Sequence, residues 1–79
     1  MNPRVEKVAT NNDYTLTITF KNGEVKLFDM KPYLDNGIFV ELKNLVYFKT
    51  AKVIHGTVSW NDRQDLCPDT LYEKSILVK

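Results

Sequence analysis

From Tyr14 to Phe20, Tyr14, Leu16, Ile18 and Phe20 alternate with Thr15, Thr17 and Thr19. A period of two with β-branched residues on the polar parity predicts a half-buried strand. Asn22-Gly23 follows, the dipeptide best suited to the positive φ values of a type I′ hairpin turn. With those two residues as the loop, Lys21 faces Glu24, Phe20 faces Val25, Ile18 faces Leu27 and Thr17 faces Phe28. Apolar partners then share one face, and an opposite-charge pair closes the turn. Val5 to Thr10 reads as an earlier strand, set off by the polar turn Asn11-Asn12-Asp13.

Past Asp29 the alternation stops. Pro32 restricts Lys31, and Pro32-Tyr33-Leu34-Asp35-Asn36-Gly37 predicts a short helical turn ended by glycine. Phe39, Leu42, Leu45, Val46 and Phe48 fit a helical face, which Asn44 divides by capping a second short helix. Ala51 to Trp60 returns to strand character. With His55-Gly56 as a second hairpin loop, Val53 faces Val58 and Ala51 faces Trp60. A polar turn leads to a helix opened by Pro68, with Asp69 complementing its N-terminus and Leu71, Tyr72 and Ile76 along it.

The order is three strands, helical turns, two strands and a helix. This predicts an α+β fold: a small, largely antiparallel sheet of about five strands (two hairpins) with two or three short helices, in a single domain spanning 1–79. Most of the core is expected from Ile18, Phe20, Val25, Leu27, Leu42, Phe48, Val53, Val58, Trp60 and Leu71.

Composition narrows the functional classes. At 79 residues, the chain has a modest interior to which four Phe, four Tyr and one Trp contribute heavily. Eleven basic and ten acidic residues give a net charge of +1, without the basic excess usual in electrostatic nucleic-acid binders. The single cysteine, Cys67, excludes an internal disulfide and a multi-cysteine metal site. The first residues lack the apolar stretch of a signal peptide, and no run reaches membrane-spanning length, so a cytoplasmic location is the default expectation.

The segments Leu16-Thr17-Ile18-Thr19-Phe20-Lys21-Asn22-Gly23-Glu24, Phe28-Asp29, Pro32-Tyr33-Leu34, Phe39, Leu42, Phe48, Trp60-Asn61, Asp65-Leu66, Pro68 and Leu71-Tyr72 carry a resemblance. Together they resemble the small bacterial family known as domain of unknown function 2442, from Val5 to Glu73. Cys67 stands where a small residue is usual, and Arg63-Gln64 lacks a glycine often found in that turn. The resemblance implies a compact α+β domain without an established catalytic activity. It also implies relatives encoded beside a second small protein, in an arrangement resembling a toxin–antitoxin pair.

Candidate chemistry is sparse. Asp62, Asp65, Asp69 and Glu73 gather four carboxylates, but they lack the glycine and ligand spacing of a calcium loop, and turn and cap roles account for them. Cys67 before Pro68, with His55 as base, is the one nucleophile pairing available, and no pattern brings the two together. Lys26 and Phe28 are expected on the threonine face of the sheet, where charge and an aromatic ring can hold single-stranded nucleic acid. Phe28 is alone on its strand face and Glu24 cancels charge, which favours a solvated face with Phe28 covered by a helix. The expected interaction surface comprises Lys26, Phe28, Tyr33 and His55. No catalytic residue, metal or cofactor is implied. The sequence reading is a non-enzymatic protein-interaction module, an antitoxin-like partner of a small toxin or a homo-oligomer; the alternative is a nucleic-acid-binding regulator.

Overall fold

The computed structural model describes residues 2–61 and 64–78. Four strands form one antiparallel sheet in the order β1 (Val5–Thr10), β2 (Thr15–Phe20), β3 (Val25–Asp29) and β7 (Ile76–Leu77). A second antiparallel sheet contains β4 (Lys52–Ile54), β5 (Thr57–Trp60) and β6 (Gln64–Asp65). Between β3 and β4 lie two 3-10 segments, Lys31–Tyr33 and Gly37–Lys43, and the helix α1 (Leu45–Phe48); α2 (Pro68–Lys74) precedes β7. The fold is α+β, with Gln64–Asp65 and Ile76–Leu77 as strands beyond the expected five.

The first hairpin differs from its expected register by one residue. Thr19 faces Val25, Ile18 faces Lys26, Thr17 faces Leu27 and Leu16 faces Phe28. The loop holds Lys21, Asn22 and Gly23: the Phe20 amide donates to the Glu24 carbonyl at 2.9 Å, and the Gly23 amide donates to the Phe20 carbonyl at 2.9 Å. Only Gly23 adopts positive φ, at 92°, so glycine serves the left-handed position of a three-residue loop rather than half of a type I′ turn. The shift turns Phe28 inward with Leu16 and moves Val25 and Leu27 to the threonine side.

The loop between β1 and β2 has the same hydrogen-bond pattern. The Asn11 amide donates to Thr15 O and the Tyr14 amide to Asn11 O. Here Tyr14 takes the left-handed position, with φ 64°. Its ring lies 5.2 Å from that of Phe48, its hydroxyl donates to the Lys43 carbonyl, and its carbonyl accepts from the Met30 amide. Tertiary contacts therefore hold a conformation that costs an ordinary residue about 1–2 kcal/mol.

The second hairpin has its expected register, with Val53 facing Val58 across His55 (φ 53°) and Gly56 (φ 75°). It is tied to β1, where the Val5 amide donates to Gly56 O at 2.9 Å and Arg4 Nη1 donates to His55 O at 3.1 Å. In the helical segment, Gly37 opens the second 3-10 turn instead of ending the first. Asn44 caps α1 by accepting from the Val46 amide at 3.0 Å, while Val46 itself is 78% exposed.

Both sheets share one core that includes Phe20, Phe28, Phe48, Val58, Trp60 and Leu71. Val5, Leu16, Met30, Leu34, Phe39 and Leu66 complete it beyond the residues expected to form most of it. Val53 packs against it half-buried, whereas Val25 and Leu27 take no part. At the other end of the chain, α2 stops at Lys74 and Ser75 turns extended (ψ 162°). Ile76, expected on the helix, pairs instead with Leu27. A β-branched residue suits this position, and β3 offers an edge that needs backbone partners.

Candidate interaction surface

The register of the four-stranded sheet creates a face that the core does not use. Ala9 faces Thr17, Thr17 faces Leu27 and Leu27 faces Ile76, forming one row across all four strands. In the neighbouring row Lys7 faces Thr19 and Thr19 faces Val25, whose carbonyl accepts from the Val78 amide at 2.9 Å. Ile76 is 70% exposed and Val78 54% exposed. Aliphatic groups from β3 and the C-terminal strand thus adjoin a threonine ladder. Contiguous uncovered apolar surface of this kind marks interaction sites.

One end of the face is polar. Asn11 Nδ2 donates to Thr15 Oγ1 at 3.0 Å and Thr17 Oγ1 at 3.1 Å, while Thr15 Oγ1 donates to Asp13 Oδ1 at 2.6 Å. The Thr15 hydroxyl holds the Asp13 carboxyl below its ordinary pKa, favouring the charged form. Asp29, opposite Thr15, accepts from the Lys31 amide at 2.9 Å and pairs with Lys31 Nζ at 3.1 Å, both through Oδ1.

The fold does not bring the four residues expected to form one surface together on an exposed face. Lys26 lies on the core side: its Nζ donates to the Tyr72 carbonyl at 2.7 Å and stands 3.7 Å from the Tyr72 ring centroid. Phe28 is buried and stacks on half-buried Tyr33, with centroids 5.5 Å apart. Both corrections follow from the three-residue hairpin loop, which reverses the faces of β3. His55 is exposed on the second sheet. Ile76 and Val78 were missed as surface residues; their signal was the aliphatic run Ile76-Leu77-Val78 after a helix-ending serine.

His55 borders a 360 Å³ cleft with Ile54, Thr57, Ser59 and Asp65. The hydroxyls are already engaged: Thr57 Oγ1 donates to Leu66 O, and Ser59 Oγ donates to Gln64 O at 3.0 Å. Cys67 is exposed before α2 and is not among the residues lining this cleft. Of the four grouped carboxylates, Asp62 lies outside the described residues. Asp69 and Glu73 both accept from Asn2 Nδ2, at 3.2 and 3.1 Å. Among the described residues, no group of three or more His, Cys, Asp or Glu side chains is placed to hold a metal.

A further polar cluster secures α2 to the hairpin loop. The Tyr72 hydroxyl donates to Glu24, which also accepts from Asn22 Nδ2 at 2.8 Å. These bonds lower the Glu24 pKa, and the bond to Glu24 raises that of Tyr72. This cluster joins structural elements rather than surrounding an open cavity.

No helix among the described residues is long and apolar enough to cross a membrane. No curated protein and no solved structure matches the chain. The family model described as "Protein of unknown function (DUF2442)" matches residues 5–76, from the first residue of β1 to the first residue of β7, and the chain belongs to that family.

Proposed function

We propose that this protein is a non-enzymatic interaction module that binds another polypeptide through the open face of its four-stranded sheet. The observation carrying this reading is the row Ala9–Thr17–Leu27–Ile76, together with Val25 and Val78, outside the shared core. Burying such surface supplies association energy at about 25 cal/mol per Å² before the costs of binding. The version implied by the family resemblance is an antitoxin-like role in a bacterial cytoplasm, with a small toxin as partner. The regulator alternative loses its proposed lysine–aromatic platform, because Phe28 is buried and Lys26 engages Tyr72.

The test is affinity capture from native lysate, with nuclease treatment, using wild-type and Leu27→Lys baits. A captured protein is then purified and titrated with both chains across a salt series. Direct binding that survives nuclease, changes little with salt and weakens at least tenfold with Leu27→Lys is expected. Recovery of nucleic acid alone, or equal binding by both baits, rejects this reading.

A further inference from the structure

We infer that the open face accommodates a second copy of this chain in a two-fold dimer, an inference that rests on the interaction-module reading and specifies its partner. Charge is placed at two corners of this face, around an otherwise uncharged centre. Lys7 lies on β1 opposite Thr19, whereas Asp29 lies on β3 opposite Thr15. Thr17 stands midway between those threonines on β2, so Lys7 and Asp29 occupy opposite corners of a diagonal through Thr17. Both corner residues are exposed, and Asp29 uses one carboxylate oxygen for its bonds to Lys31.

A two-fold axis through Thr17, lying along the face and perpendicular to that diagonal, exchanges the corners. Each Lys7 then meets the Asp29 of the second copy, and the aliphatic part of the face meets its own counterpart. Such self-complementarity is what an isologous interface requires. With a net charge of +1, little overall repulsion opposes association of two copies.

The face sets the strength. Three strands roughly 20 Å long and the much shorter β7, about 4.8 Å apart, present about 300–350 Å² in projection. This is below the roughly 800 Å² per partner of a standard stable interface. The expected dimer is therefore concentration-dependent, forming over a micromolar-to-millimolar range.

Sedimentation equilibrium of the intact chain across that range tests the inference. Wild type should change from monomer to dimer, and Leu27→Lys and Ile76→Lys should each weaken association roughly tenfold. Circular dichroism checks that both retain the fold; Ile76, being largely exposed, provides the safer substitution. Lys7→Glu and Asp29→Lys should each self-associate less than wild type, whereas an equimolar mixture should recover dimerisation because both corner pairs are again opposite in charge. A wild-type monomer throughout the range, a dimer unaffected by both apolar substitutions, or failure of the mixed charge variants to recover overturns the inference. If wild type remains monomeric but Leu27→Lys abolishes binding to a captured protein, the second-copy inference fails while the interaction-module reading stands.

Discussion

The Trp60 indole nitrogen donates to the Phe48 carbonyl at 2.8 Å, and the two rings stack with centroids 6.0 Å apart. This pair fastens β5 to α1 through both a directional bond and a large apolar contact. Trp60→Ala should cost about 3–5 kcal/mol, a large part of the stability of so small a domain. Trp60→Phe retains an aromatic ring but removes the donor, leaving the Phe48 carbonyl its bond from the Ala51 amide at 3.3 Å; a cost of about 0.5–1.5 kcal/mol for the lost bond, beyond that of the smaller ring, is expected. Urea denaturation measures both. An unchanged midpoint for Trp60→Ala contradicts this account of the core.

The two left-handed glycines should respond differently to an added methyl group. At Gly23 a Cβ meets open space, so Gly23→Ala should cost about 1–2 kcal/mol from backbone strain alone. At Gly56 a Cβ would stand 2.8 Å from Arg4 Cδ and 3.1 Å from Arg4 Cβ. Gly56→Ala should therefore be more destabilising, with part of the excess removed by adding Arg4→Ala. A double-mutant cycle on thermal midpoints tests this coupling, and strict additivity contradicts it.

The Tyr72–Glu24 bond should influence stability at both ends of the pH scale. Bonds from Tyr72 and Asn22 depress the Glu24 pKa, so their contribution is present above the unfolded value of about 4.3 and disappears as pH falls through the lower folded value. The Tyr72 pKa is raised, chiefly by its bond to Glu24; its contribution is present below the unfolded value of about 10 and disappears as pH rises through the higher folded value. The melting-temperature difference between wild type and Tyr72→Phe should be largest between those limits and narrow toward both extremes. A constant difference from pH 2 to pH 11 contradicts the linkage.

The legible features were those in which a local pattern allowed one solution. His55-Gly56 set the second hairpin because both residues adopt positive φ, and Asn44 announced a cap that its side chain makes. The first hairpin was ambiguous because Asn22-Gly23 fits either a two-residue loop or the end of a three-residue loop. Val25 and Leu27 alternate with Lys26 and Phe28, so apolar residues occur on both parities of β3 and cannot decide the register. The open face inherited that ambiguity. It also depends on Ile76 returning to β3 from the distant end of the chain, which a two-residue strand is too short to reveal through periodicity.

The loop at Lys21-Asn22-Gly23 also bears on which length changes this hairpin can absorb. Surface loops commonly absorb insertions and deletions because their ends can rejoin at small cost. Here, deleting Lys21 would leave Phe20 opposite Glu24 across the two residues Asn22 and Gly23, so the sides of β3 stay as they are. Only a slip that sets Lys21 opposite Glu24 on a chain of unchanged length would bring Phe28 toward solvent and Leu27 toward the core. In sequence divergence, a one-residue deletion in this loop can therefore keep the assignment of inside and outside, whereas a one-residue slip of pairing at constant length exchanges it. The pairing of Phe20 with Glu24 is thus the inherited information, distinct from both the number and the identity of the residues between them.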